Sequence, residues 1–409
     1  MVQLRCVCLL LMVAPVALAG DWPQWLGPKR DGGTDEKVKA WEEAPKVLWK
    51  LPVGAGHSVP VVADGRVFVH AQLPGKEAEE VIAVDATTGK EIWRQNYTRA
   101  PYKSVLNTGP QSTPVVSGGK LFTFGITGVL TCFDASGGKQ LWQTDVYKTF
   151  KADLPRFGVC CSPLVVGNRV LVPVGGKGAG VVAFDTEKGA VQWQALDDPA
   201  STASPVLVAG INGPDVVFMT SLRLVALNPL DGEVSWEYPL VFQPAGASPT
   251  PLVVGDKLFA STMTNGTTAI RIGKKEDKPA ADQVWQEKEM KGYFSSGTSA
   301  NKERLYLITN TLKPIPSAAL TCVDLKTGKQ LWARRGVGYF HAAPLRTGDG
   351  NLLVLSDSGS LTLVADDPKE YRELARAKVC GGTLTGMAFS DGKLFVRDAK
   401  EVTALRLND

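Results

Sequence analysis

Ala83-Val84-Asp85-Ala86-Thr87-Thr88-Gly89-Lys90-Glu91-Ile92-Trp93 decides the fold, because its frame returns along the chain. It reappears as Cys132-Phe133-Asp134 with Gly138-Lys139 and Trp142, and as Ala183-Phe184-Asp185 with Gly189 and Trp193. Two more copies run from Ala226-Leu227-Asn228 through Gly232 to Trp236 and from Cys322-Val323-Asp324 through Thr327-Gly328-Lys329 to Trp332. Each reads as a hairpin: an apolar strand runs into Asp or Asn, glycine supplies the positive φ of the turn, and the polar side chain accepts turn amides. With Trp49 and Trp285, seven of the ten tryptophans recur at intervals of 43 to 51 residues. A period in the forties marks a β-propeller, in which a four-stranded blade buries both faces only against its neighbours.

Working outward, two further strands precede each hairpin, as in Ser112–Val116 and Lys120–Phe124 around Gly118-Gly119. The seventh blade has Leu374 where tryptophan is expected, and the eighth, Thr383 to Leu407, supplies only three strands before the chain ends. Lys46-Val47-Leu48-Trp49-Lys50-Leu51 has the outer-strand pattern with no strands ahead of it, so it is expected to complete blade eight and close the ring. The fold class is thus all-β, an eight-bladed propeller of four-stranded antiparallel blades over residues 46–409, preceded by a clasp segment at residues 20–45 with Trp22, Trp25 and Trp41.

The frame Ala-x-Asp-x-x-Thr-Gly-Lys-x-x-Trp, complete at Ala83 to Trp93, resembles the repeat of the pyrroloquinoline-quinone (PQQ) propeller superfamily. The resemblance covers about residues 46–409. It implies either of two activities, since that superfamily holds PQQ-dependent alcohol dehydrogenases and also a non-catalytic periplasmic propeller, the lipoprotein subunit of the outer-membrane barrel-assembly machinery.

Residues 1–19 read as a secretory signal: Arg5, the apolar run Cys6 to Val13, then Ala17-Leu18-Ala19 as a small-x-small cleavage site. The run is too short to span a bilayer and Pro15 interrupts it. A periplasmic or secreted protein without a transmembrane anchor is expected, and no cysteine follows the small residues to take a lipid. The chain is 44% hydrophobic and 21% charged, with a formal charge of +4 and no basic run, which argues against nucleic-acid binding.

Five cysteines remain after the signal. Cys132 and Cys322 take the place of alanine in the frame and read as reduced core residues. Cys160-Cys161 reads differently, because adjacent cysteines in an oxidising compartment can form a vicinal disulfide; free thiols at the channel mouth are the alternative. The resemblance implies a third role, against a quinone cofactor. The sequence departs from that pattern: Ser162-Pro163 follows the pair at once, in place of the Asp and Asn-Arg-Gly context of the dehydrogenases, and no calcium ligands or carboxylate base are recognisable. No cofactor is therefore expected, PQQ with calcium being the alternative.

The innermost strands begin at one rim of the channel with His57, Gln111, Cys160-Cys161, Thr202, Ser248, Ser296 and His341, a polar ring. His57 and His341 flank blade eight and either face a common ligand or satisfy local backbone groups. Two histidines without a matched carboxylate or cysteine are a weak metal signal, and no metal is expected. The loops entering these strands carry Tyr97, Arg99, Tyr102 and Lys103; Tyr147, Phe150, Arg156 and Phe157; Tyr293 and Phe294; Tyr339 and Phe340. The charged stretch Gly75 to Glu80 belongs to the same face. Aromatics among basic residues on a rigid scaffold suit recognition, unless they seal the gaps between blades. The expected function is a non-catalytic, monomeric exported scaffold binding an envelope or extracellular protein, peptide or polymer. The alternative is a quinoprotein oxidoreductase acting on alcohols or sugars.

Overall fold

A computed structural model describes residues 20–103, 108–241 and 249–407; the expected signal at residues 1–19 and the ring residue Ser248 lie outside them. The chain forms eight four-stranded antiparallel sheets. Blades 1 to 7 span residues 61–98, 115–145, 164–195, 206–239, 252–287, 298–338 and 342–378. Blade 8 takes Met387–Ser390, Lys393–Arg397 and Glu401–Arg406 from the C-terminus and Lys46–Pro52 from the N-terminus. The closing pair is antiparallel, with Lys46 opposite Arg406 and Pro52 opposite Glu401. Arg397, fully buried in blade 8, reinforces the closure by donating to the carbonyls of Gly54, Ser58 and His70.

The repeated frame is an inter-blade joint. Asp85 Oδ1 accepts from the backbone N–H of Thr87 and Thr88 and from the Thr88 hydroxyl, which holds its carboxyl below the usual carboxylate range and fixes the turn. The glycine that follows has positive φ in each copy, and the indole of the preceding blade lies where its side chain would be. A Cβ on Gly89 would fall 2.6 Å from Trp49, and one on Gly138 would fall 2.5 Å from Trp93. Each indole N–H then reaches a carbonyl in the same turn: Trp49 to Ala86, Trp93 to Ala135, Trp142 to Thr186, Trp193 to Pro229 and Trp285 to Leu325. Trp332 donates to Asp367.

Residues 21–45 do more than clasp the outside. The segment crosses the lower end of the channel, with hydrogen bonds to blades 1, 2, 3, 5, 6, 7 and 8. Trp22 pairs with Val62, Pro23 accepts from Val116, and Arg30 donates to Ser162 and Pro163. Further round, Gly32 accepts from Arg346, Thr298 Oγ1 donates to Asp31, and Glu36 takes the Asp391 and Gly392 amides. Trp22 is buried and Trp41 packs on the same core, while Trp25 points up the channel and donates to Thr250 Oγ1 at 2.9 Å.

Candidate functional site

Just above Trp25 the inner-strand starts enclose a cavity of about 130 Å³ on the channel axis. His57, Gln111, Cys160, Thr202 and His341 of the expected polar ring line it, together with Phe157, Phe294 and Thr385. A belt of hydroxyls holds the ring together. Thr113 Oγ1 accepts from Val59 N–H, Ser162 Oγ from Thr113, Ser204 Oγ from Ser162, Thr250 Oγ1 from Ser204 and Ser296 Oγ from Thr250. Each bond joins one blade to the next, and Thr113, Ser162, Ser204 and Thr250 all stand immediately before a proline. Ser296 is therefore turned into the belt.

His341 continues the belt where the hydroxyls stop. Its Nε2–H donates to the Thr385 carbonyl of blade 8 at 3.3 Å, and its Nδ1 lies 2.9 Å from the Ser295 hydroxyl of blade 6, which donates to it. Burial pushes the imidazole down to about 4, so the ring is neutral at physiological pH. Both nitrogens are committed to blade contacts.

The cysteine pair departs from the disulfide expectation: both thiols are free. Cys160 faces the cavity, its Sγ 3.4 Å from Gln111 Oε1, while Cys161 is packed in the apolar seam between blades 2 and 3. Alternation along an extended chain sends adjacent side chains to opposite sides, which separates the two sulfurs. Burial pushes the Cys160 thiol up to about 12, away from nucleophilic use. Cys132 and Cys322 are free and buried in their frame positions.

Several of the expected loop residues are core. Asp145 caps the helix Val146–Phe150, accepting from Lys148 N–H, and Lys151 ends it with φ 52°. This turn drives Tyr147 inward against Gly128, where a Cβ would lie 2.1 Å from the ring, and sets Phe150 edge-on to Phe184. Tyr147 is 8% exposed and seals the seam instead of presenting a binding surface. Glu79 and Glu80 are likewise not on a solvated insert: they lie in the strand Ala78–Asp85 and are buried. Glu79 accepts from Tyr97 Oη at 2.6 Å and from Ile126 N–H, with His70 Nε2 at 3.0 Å and Arg99 Nε at 3.7 Å. His70, Glu79, Tyr97 and Arg99 thus form a buried polar cluster that the sequence reading missed. Its one signal was a histidine inside the apolar strand Val67-Phe68-Val69-His70-Ala71.

On the upper face Arg156 is exposed, its guanidinium 5.7 Å from the centre of the half-buried Phe157 ring, and Tyr102 Oη donates to the Arg156 carbonyl. Tyr339 and Phe340 are the most open of the expected aromatics, at 65% and 43% exposure. Leu222, Val241 and Ile315 are exposed on the same face, so its apolar surface is weighted toward blades 4 to 7.

Among the described residues, the lining of the channel cavity contains no carboxylate, lysine or arginine side chain. Calcium takes about six to eight oxygen ligands, carboxylates prominent among them, and no group of three or more His, Cys, Asp or Glu suited to a metal occurs among the described residues. The cavity is also below the roughly 300 Å³ at which sites for cofactor-sized ligands begin. The residues present do not fit a calcium-bound quinone.

The sequence is 24% identical to the outer membrane protein assembly factor BamB of Burkholderia pseudomallei over 85% of this chain and 86% of the relative. It is 27% identical to quinohemoprotein alcohol dehydrogenase ADH IIB of Pseudomonas putida over 36% of this chain, but spans only 21% of that enzyme's length. In structure it is similar to the quinohemoprotein alcohol dehydrogenase of Comamonas testosteroni, with a TM-score of 0.68 at 14% identity over 96% of this chain and 81% of that one, a likeness of fold alone. The pattern of the family described as outer membrane protein assembly factor BamB matches residues 77–334, well over half of the chain, and the protein belongs to that family of PQQ-like propellers.

Proposed function

We propose that this protein is an exported, non-catalytic scaffold that binds an envelope or extracellular protein on the upper, loop-bearing face of the ring. The observation that carries this reading is the channel: its floor is filled by Trp25, its described lining has no carboxylate, lysine or arginine, and His341, one of the two histidines there, is spent on joining blades. Exposed Tyr339, Phe340 and Arg156 supply the residue types in which binding energy concentrates. The near end-to-end match to an assembly factor supports the same reading. The oxidoreductase reading rests on the shared fold and on Cys160-Cys161, which here face different surroundings.

The test is a titration of purified protein with PQQ and calcium, followed by absorbance and by dye reduction with alcohols and sugars, alongside photo-crosslinkers placed at Arg156 and Tyr339 in cells. No quinone spectrum, no turnover and a discrete crosslinked protein are expected. Stoichiometric PQQ binding with turnover lost in Cys160→Ser would replace the scaffold reading with the oxidoreductase.

A further inference from the structure

Blades 6 and 7 share an apolar core of Tyr306, Ile308, Leu320, Leu352, Val354 and Val364, but the packing does not fill their seam. A cleft of about 430 Å³ runs down the seam between them, lined by Arg334, Tyr339, Ser360, Thr362, Tyr371 and Arg376. Its cause is local. The outer strand of blade 6, Gln330–Gly338, carries glycine at 336 and 338, and its register against the neighbouring strand slips between Ala318 and Ala319. A Cβ at Gly336 would meet nothing within 4 Å. The facing strand of blade 7 contributes the short polar Ser360 and Thr362 to the cleft wall. At its lower end the seam is sealed by Trp332 against Tyr371, with ring centroids 6.0 Å apart, and at its inner end by His341.

The ionic groups at the cleft balance, two arginines against two acids, but their pairing is unequal. Arg376 makes a two-point contact with Glu373, and the guanidinium of Arg334, 5.3 Å from the centre of the Tyr371 ring, bears on that same carboxylate. Two guanidinium groups therefore share one acid. The other acid, Asp357, is turned to the backbone, taking the N–H groups of Tyr339, Phe340 and His341. Arg334 is exposed and makes no ion pair among the described residues.

Beside the cleft, Gln330–Gly338 is the edge of its sheet, with no strand beyond it. An extended segment that pairs with such an edge points alternate side chains to one side, here into the cleft mouth. We propose that this seam is a docking site for an extended peptide segment of a partner protein bearing acidic residues at alternate positions. The segment adds a fifth strand to blade 6 and places its carboxylates between Arg334 and Arg376. This deepens the scaffold reading and rests on it.

The probe is an acetylated, amidated peptide of alternating glutamate and valine, titrated calorimetrically into the full protein. Binding is expected to weaken about tenfold or more when glutamine replaces glutamate, and equally in Arg334→Gln, with little further loss when both changes are combined, since both delete one charge-assisted contact. Ser360→Leu, which fills the cleft from the first residue of an inner strand of blade 7, should abolish binding with the melting temperature retained. Equal affinity for the glutamine peptide, an unaffected Arg334→Gln variant, or tighter binding of oligogalacturonate than of the peptide overturns the proposal. Crosslinking at Arg156 and Tyr339 with no peptide affinity would remove the cleft and leave the scaffold standing.

Discussion

The seam between blades 2 and 3 and the seam between blades 6 and 7 are built on the same repeat and end in opposite states. In the first, the helix Val146–Phe150 delivers Tyr147 and Phe150 into a core of Phe122, Phe124, Val172 and Phe184, and Cys161 completes the packing. In the second, a core of Tyr306, Ile308, Leu320, Val354 and Val364 gives way, beside two glycines and Ser360, to an open cleft with arginines at its mouth. The tryptophan joint is present in both, Trp142 donating to Thr186 and Trp332 to Asp367. The joint therefore sets ring geometry, and the side chains above it decide whether a seam is core or surface.

The comparison predicts its largest effect at Tyr147. Tyr147→Ala removes a buried ring from a closed seam and should lower unfolding free energy by about 3 to 5 kcal/mol, whereas Tyr371→Ala, at the open seam, should cost about 1 kcal/mol or less. Denaturant unfolding of both variants checks this. Equal losses would mean that the two seams are packed alike.

How much of this was legible in the sequence follows from the range of each signal. The tryptophan frame is an eleven-residue local pattern, so blade count and the closing strand at Lys46–Pro52 could be read directly, whereas the missing tryptophan of blade 7 falls at Ala375, which pairs with Leu363 as Trp93 pairs with Ala83, and not at the expected Leu374, which sits in the bulge. The polar ring was legible because every inner strand begins the same way, and five of its members line one cavity. Tyr147, Tyr97 and Glu79 were misread because loop composition does not reveal which way a short helix or strand end turns; that depends on Gly128 and Ile126, far along the chain. The channel plug was hidden for a related reason. Residues 21–45 have no periodicity, and the contacts that place them run to distant blades.

A second way to sharpen the comparison is pH, because the inner end of the open seam hangs on one imidazole. His341 is held at about 4 when folded and returns to about 6.5 when unfolded. Between these values the unfolded chain binds the extra proton, so stability is full above about pH 6.5 and falls as pH drops toward 4, by on the order of 3 kcal/mol at most. His341→Asn should flatten that slope, and Tyr147→Ala should leave it unchanged. Unfolding midpoints measured across the range decide it, and an unaltered slope in His341→Asn breaks the assignment.

Glycine substitutions separate backbone strain from inter-blade packing. Gly138 and Gly336 have nearly the same φ, 75° and 76°, but a Cβ on Gly138 meets Trp93 at 2.5 Å and one on Gly336 meets open space. Alanine at either position carries the left-handed penalty of about 1 to 2 kcal/mol. Gly138→Ala should exceed Gly336→Ala by roughly another 1 to 2 kcal/mol, the overpacking cost. Matching thermal shifts in the two variants would show that the indole gives way freely.

The smallest effect tests the joint itself, at the place where it is incomplete. Trp236 is 4% exposed, yet its indole N–H has no hydrogen-bond partner among the described residues, unlike that of Trp193 one blade earlier, which donates to Pro229 at 3.1 Å. The reason lies in blade 5. There the hairpin runs on to Lys275 and Lys278, and Ile272, which takes the place of Ala86 in the frame, stays paired with Ala281 in the ladder instead of turning its carbonyl toward the neighbouring indole. Trp193→Phe and Trp236→Phe delete the same atoms, so the packing losses should nearly cancel between them. Only the first gives up a made hydrogen bond, while the second also removes a buried donor that had none. Trp193→Phe should therefore be the more destabilising by about 1 kcal/mol, read as a lower denaturant midpoint at unchanged slope; equal midpoints would mean that the indole hydrogen bonds contribute nothing to the ring and that tryptophan recurs for its area alone.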